Sequence, residues 1–136
     1  MPRGFLAALK KGPILFDGAM GTMLQRLGLK PGGCPDELSL TNPGLLNKVH
    51  SCYIDAGADV ITTNTFGAKR IKLAEYNLET KLAEINIAAA RCARAAASGK
   101  NLVAGGIGPT GKFVEPVGDL PFDAAVEIFA EQANAL

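Results

Sequence analysis

Three short apolar runs constrain this chain more than any other feature, because each breaks on a polar or glycine-rich turn and leads into helical spacing. The first is Pro13-Ile14-Leu15-Phe16, closed by Asp17 and a turn that carries Gly18 and Gly21. Met20, Met23, Leu24 and Leu27 then recur at a helical period. The second run, Asp59 to Phe66, is rich in β-branched residues and ends on hydroxyls, an amide and Gly67. The third, Asn101 to Ala104, passes into Gly105-Gly106-Ile107-Gly108-Pro109-Thr110-Gly111. Strand starts lie about forty residues apart, a little more than a minimal βαβ unit requires. Such alternation implies a parallel sheet of buried strands with helices outside it. Functional groups in folds of this kind gather at the C-terminal ends of the strands.

The segments between the runs read as helices with recognisable ends. Residues 4–11 are expected to form a short lead-in helix on Phe5, Leu6 and Leu9. Thr41 or Asn42 can cap a helix whose first turn holds Pro43. Its apolar stripe, Leu45, Leu46, Val49, Tyr53 and Ala56, stops at Gly57. His50 lies in this helix, where a lone histidine is ordinarily structural. Residues 68–78 are basic and partly helical. A long helix over residues 81–98 buries Leu82, Ile85, Ala89, Cys92, Ala93 and Ala96, and a final helix has Phe122, Val126, Phe129 and Ala133 on its apolar side.

With 136 residues, 48% of them hydrophobic and 20% charged, the chain can bury one ordinary core. A net charge of +1 gives no basic face, which argues against nucleic acid and against an anionic membrane as partners. No segment approaches the length of a transmembrane helix, and Phe5 to Leu9 is too short for a signal-peptide core. The expected location is the cytoplasm. Cys34, Cys52 and Cys92 are odd in number and widely spaced, which suits neither a disulfide framework nor a zinc hook. Cys52 and Cys92 read as small buried hydrophobes, and Cys34 as a loop residue.

Two strand ends offer candidate chemistry. Asp17 either faces a ligand or caps the following helix. Asn64 disfavours strands and carries both a donor and an acceptor, so its place at a strand end invites a functional reading. The glycines of 105–111 permit close backbone approach, but no Lys-Ser or Lys-Thr follows them, so no phosphate-loop fingerprint is present.

Four stretches carry a family resemblance: Phe16-Asp17-Gly18-Ala19-Met20-Gly21-Thr22, Pro35-Asp36-Glu37-Leu38-Ser39-Leu40-Thr41, residues 56–68 with Thr62-Thr63-Asn64-Thr65-Phe66-Gly67, and Gly106-Ile107-Gly108-Pro109-Thr110-Gly111. In this order they make the chain similar to the homocysteine S-methyltransferase family, most of all to the homocysteine-binding domains of cobalamin-dependent methionine synthases. The resemblance implies an α/β fold, the leading part (about three βα units) of a truncated (β/α)8 TIM barrel, with residues 1–136 as its N-terminal portion. It implies methyl transfer to the homocysteine thiolate, making methionine. Zinc would activate the thiol, while methylcobalamin and methyltetrahydrofolate would be reached through other domains of the parent. The family's zinc cysteines are expected beyond Leu136, so the isolated chain is expected to be inactive and to lack the remaining barrel strands. The site residues carried over are Asp17 towards the substrate ammonium, the turn amides of Gly18, Ala19, Met20, Gly21 and Thr22 towards its carboxylate, and Asn64 and Thr65 lining the pocket. Two alternatives stand beside this reading. One is a cobalamin-independent homocysteine methyltransferase using S-methylmethionine or betaine, and the other is a non-catalytic binding or assembly module.

Overall fold

The computed structural model describes residues 4–136, and the three apolar runs lie side by side in it in chain order. The middle run forms β1 (Val60–Thr62), and the third forms β2 (Leu102–Ala104). They pair in parallel, with Val60 opposite Leu102 and Thr62 opposite Ala104. On the other side of β1 the first run makes one parallel bridge, from Phe16 to Val60. Backbone bonds extend it, from Asp17 N–H to the Val60 carbonyl (2.9 Å) and from Val60 N–H to the Leu15 carbonyl (3.1 Å). Neighbouring runs in sequence are thus neighbours in space, as successive βα units require.

Two expectations about these runs are corrected. The first is not a fully buried strand, since Leu15 and Phe16 are 58% and 47% exposed. It has β1 on one side and no paired segment on the other among the described residues, so its outer face stays open. The second run leaves the sheet after Thr62 instead of continuing to Phe66, because hydroxyls replace the ladder there. Gly106 N–H donates to Thr63 Oγ1 (2.9 Å), Thr65 Oγ1 donates to the Gly106 carbonyl (2.7 Å), and the two hydroxyl oxygens lie 2.6 Å apart. A hydroxyl has a single proton, and that of Thr65 is committed to Gly106, so Thr63 is the donor between them. The result is a closed ring of bonds that locks the end of β1 to the chain leaving β2.

Helices cover the sheet: α1 (Phe5–Leu9), α2 (Met20–Arg26), α3 (Leu38–Thr41), α4 (Pro43–Asp55), α5 (Arg70–Leu73), α6 (Leu82–Ala97) and α7 (Phe122–Ala135). Asn42 is the cap of α4: its Oδ1 accepts from Leu45 N–H at 3.2 Å, and Pro43 fills the first turn. The chain leaves α4 through Gly57 at φ +100°, a left-handed position that favours glycine. Leu24, Leu46 and Val49 make a core between α2 and α4, joined by Met20, Met23, Leu29 and Tyr53. Each fully buried leucine there contributes roughly 1.5–3 kcal/mol. Ala93 and Ala97 bring α6 onto Ile61 of β1, their small side chains allowing the helix to lie close. Among the described residues no helix is long and apolar enough to cross a membrane.

The last helix is turned differently from its sequence pattern. Phe122, Val126 and Phe129 are 68%, 50% and 37% exposed, and Ala133 is exposed too. Instead, α7 buries Ala125 and Gln132. Gln132 Nε2 donates to the Thr65 carbonyl (2.6 Å) and to Asn86 Oδ1 (3.3 Å). Asn86 Nδ2 in turn donates to the carbonyls of Ala68 (2.7 Å) and Leu82 (2.8 Å). This amide relay gives the Thr65 carbonyl a second donor beside Ala68 N–H (3.1 Å) and supplies one to the Ala68 carbonyl. Arg70 of α5 and Glu131 of α7 form an ion pair on the outside. In urea unfolding, Gln132→Leu is expected to cost about 1–3 kcal/mol, because buried Asn86 Oδ1 loses its donor and the Thr65 carbonyl keeps only Ala68 N–H. Phe122→Ser, at the most exposed position of the stripe, is expected to stay within about 0.5 kcal/mol of the parent.

Candidate functional site

Asp17 stands where the first run leaves the sheet, and both its carboxylate oxygens are held by Thr62. Oδ2 accepts from Thr62 N–H at 2.8 Å and Oδ1 from Thr62 Oγ1 at 2.9 Å. Asp17 is not the helix cap: the position before α2 is Ala19, and no side chain caps that helix. A carboxylate has about four lone-pair sites, so each oxygen keeps one for a further donor. The side chain is half-buried, fixed in orientation and still reachable. Sequence reading assigned Thr62 only to strand formation. Its role depends on the register that sets it beside Asp17, which no local pattern reveals.

Tyr53 of α4 holds the same turn from another side. Its hydroxyl donates to the Ala19 carbonyl at 2.9 Å. A Cβ at residue 18 would lie 2.9 Å from Tyr53 Oη and 3.0 Å from Cε1. A side chain at residue 18 would therefore have to push the Tyr53 ring aside. Ala19, Gly21 and Thr22 are exposed at the start of α2, whose first amides have no partner inside the helix, while Met20 turns towards the core.

Asn64 and Thr65 lie differently. Thr65 is fully buried in the hydroxyl ring with Thr63 and Gly106. Asn64 is buried as well, and its Nδ2 donates to the Pro35 carbonyl at 2.7 Å. The structure thus brings the sequence-predicted residues to one end of the sheet in two groups: an open turn over 17–22 and a closed, internally bonded wall at 64–65.

Behind that wall is a buried pair of ionisable residues that the sequence reading passed over. Asp36 Oδ1 accepts from Gly67 N–H (3.0 Å), and Lys69 Nζ donates to the Phe66 carbonyl (3.0 Å). Burial pushes the Asp36 carboxyl up and the Lys69 ammonium down, each opposed in part by the other's charge. Cys34 is buried here, its thiol 3.9 Å from Asp36 Oδ2, and burial pushes its pKa up and away from thiolate character. Cys92 is half-buried and likewise raised by burial, whereas Cys52, expected inside, is exposed on α4. Among the described residues no three or more His, Cys, Asp or Glu side chains come together as a metal site.

A hollow of about 810 Å³ opens at the opposite, N-terminal end of the strands, lined by Lys11, Ile14, Asp59, Arg94, Lys100 and Leu102 among others. It lies at the other end of the short strands from the Asp17 turn, and in strand-and-helix folds of this kind the chemistry sits at the C-terminal end.

Parallel runs in chain order, helices packed over them and an oriented carboxylate at a strand's C-terminal end define part of a (β/α)-barrel fold. Residues 14–136 match the homocysteine S-methyltransferase family, and the chain belongs to it. It is similar to the metallated form of the homocysteine methyltransferase MmuM from Escherichia coli, with a TM-score of 0.81 and 25% identity over 100% of this chain and 53% of that one. The oxidized form of the same enzyme matches with a TM-score of 0.69 and 30% identity over 82% of this chain and 42% of that one. The chain spans about half the length of these solved relatives.

Two outcomes test this geometry. Gly18→Ala is expected to cost about 1–3 kcal/mol by overpacking. Tyr53→Leu should relieve part of that cost, so urea unfolding of both single variants and the double variant should give a coupling above about 0.5 kcal/mol. The second concerns His50, which is fully buried with neither ring nitrogen bonded. Burial lowers its pKa from 6.5, and the charge of Asp17 pulls the other way. A depressed pKa means that the unfolded chain takes up the proton first. The stability contributed by neutral His50 is therefore full above about pH 6.5 and is lost as the pH falls towards its lower folded value. Between about pH 7.5 and 5.5 the melting temperature of the parent should fall more steeply than that of His50→Leu. Asp36 acts in the opposite sense but is common to both proteins. Equal slopes would show that His50 carries no such linkage.

Proposed function

We propose that this chain is the leading part of a homocysteine S-methyltransferase barrel and that the Asp17 turn receives the amino-acid end of homocysteine. The observation that carries the reading is the Asp17 carboxylate, fixed by two bonds from Thr62 with lone pairs still free at a strand's C-terminal end. In this reading Asp17 takes the substrate ammonium, and the amides of Gly18, Ala19, Met20, Gly21 and Thr22 face its carboxylate. Asn64 and Thr65 form the wall behind, their side chains committed to Pro35 and Gly106. Methyl transfer then joins the donor's methyl carbon to the homocysteine sulfur while the donor–methyl bond breaks and the thiol proton is lost.

The finer reading rests on the sequence resemblance: a zinc-dependent, cytoplasmic enzyme of the cobalamin-dependent methionine synthase type, charged from methyltetrahydrofolate. Zinc would supply thiolate activation, but Cys34, Cys52 and Cys92 do not converge with other donors into a ligand set here. The metal's cysteines belong, in this proposal, to strands outside the chain, and no step is derived through it.

Asp17→Asn in the full-length protein is a clean test. The Oδ1 of the introduced amide can accept from Thr62 N–H while its Nδ2 donates to a reoriented Thr62 hydroxyl, so the geometry survives and the charge does not. A charge-assisted bond contributes roughly 1.5–3 kcal/mol, so calorimetric titration should show homocysteine affinity falling about ten- to a hundred-fold. An affinity within about two-fold of the parent, beside a lowered melting temperature, would make Asp17 a purely structural residue.

A further inference from the structure

We infer that Tyr53 is a positioning residue for the turn amides that face the substrate carboxylate, an inference that rests on the reading of the 17–22 turn just given. Four bonds fix the turn. The backbone N–H of Asp17 is tied to Val60 (2.9 Å), its side chain to Thr62 (2.8 and 2.9 Å), and the Ala19 carbonyl to Tyr53 Oη (2.9 Å). Gly18, between them, lies against the Tyr53 ring with no room for a Cβ. Thr62 therefore holds the carboxylate from the sheet, and Tyr53 holds the following backbone from the helical layer. Without the hydroxyl the backbone at Ala19 loses its tether to the helical layer and can shift, while Asp17 stays bonded to Thr62. The stability cost of that loss is small, because Ala19 and Gly18 are exposed and water can replace the hydroxyl at the Ala19 carbonyl.

The Ala19 carbonyl belongs to the stretch whose amides, in that reading, face the substrate carboxylate, so loss of the Tyr53 bond affects ligands that carry the carboxylate and spares an amine thiol without it. This separates positioning from general support of the fold. The experiment is calorimetric titration of the full-length protein with homocysteine and with 3-aminopropane-1-thiol, the same amine thiol lacking the carboxylate. Parent, Tyr53→Phe and Asp17→Asn are compared, each with a thermal melt. Tyr53→Phe is expected to weaken homocysteine by about three- to ten-fold and to leave 3-aminopropane-1-thiol within about two-fold of the parent. Its melting temperature should change little. Asp17→Asn should weaken both ligands, since both carry the ammonium group. If Tyr53→Phe weakens both ligands equally, or neither, while Asp17→Asn weakens both, the role assigned to Tyr53 is wrong and the Asp17 reading stands. If Asp17→Asn weakens neither, the reading beneath falls and takes this one with it. Tyr53→Leu, which removes the hydroxyl with part of the ring's bulk, should reproduce the carboxylate selectivity and serves where Tyr53→Phe folds poorly.

Discussion

The four residues from Thr62 to Thr65 must satisfy their polar groups where β1 leaves the sheet, and the rest of the fold is arranged around how they do so. Thr62 bonds the first run through Asp17, and Thr63 and Thr65 bond the third through Gly106. Asn64 ties down the 34–37 loop at Pro35, and the Thr65 carbonyl receives Gln132 from α7. Parallel strands this short contribute few ladder bonds, so the hydroxyl and amide bonds at their ends take over the work of register. One consequence is functional. The same bonds that stop β1 three residues after it starts leave Asp17 oriented at the open end of the sheet.

That arrangement explains which parts of the structure were legible in the sequence. Element order, parallel pairing, the Asn42 cap and the Gly57 stop follow from local pattern, since periodicity and capping chemistry act within a few residues. The polar core was not legible. His50, Asn86 and Gln132 look like ordinary helix residues, yet all three are fully buried, and their burial follows from neighbours far away in sequence. The same limit misplaced the face of α7, where a stripe of Phe122, Val126 and Phe129 lost to two amide partners for Gln132. At the candidate site the Asp17 motif was visible, but the residues that orient it were not. Thr62 and Tyr53 lie 45 and 34 positions away from the atoms they hold.

Burying Asp36 and Lys69 behind the wall is costly unless their charges and hydrogen bonds are met. Asp36 takes the Gly67 amide and Lys69 takes the Phe66 carbonyl, so the two side chains clasp opposite groups of the same loop. Gly67 is needed there, because a Cβ would lie 2.8 Å from Asp36 Oδ2. Each side chain thereby fixes the backbone group it bonds rather than bonding the other. Here the conformation fixed is that of the segment carrying Asn64 and Thr65.

The proposed site has the corresponding economy on its open side. A carboxylate free to rotate would have to lose side-chain entropy and realign its solvent when an ammonium group arrived, and that loss would reduce the affinity. Asp17 is already immobile, bonded through both oxygens to a residue that is itself locked into β1. The Tyr53 bond extends that immobility to the backbone on the far side of Gly18. Neither holding group carries a charge that could neutralise the carboxylate, whereas a lysine or arginine in the place of Thr62 would orient it equally well and cancel the attraction it offers. Neutral donors at both anchors are what allow one residue to be a fixed part of the fold and a free anion towards a cationic ligand.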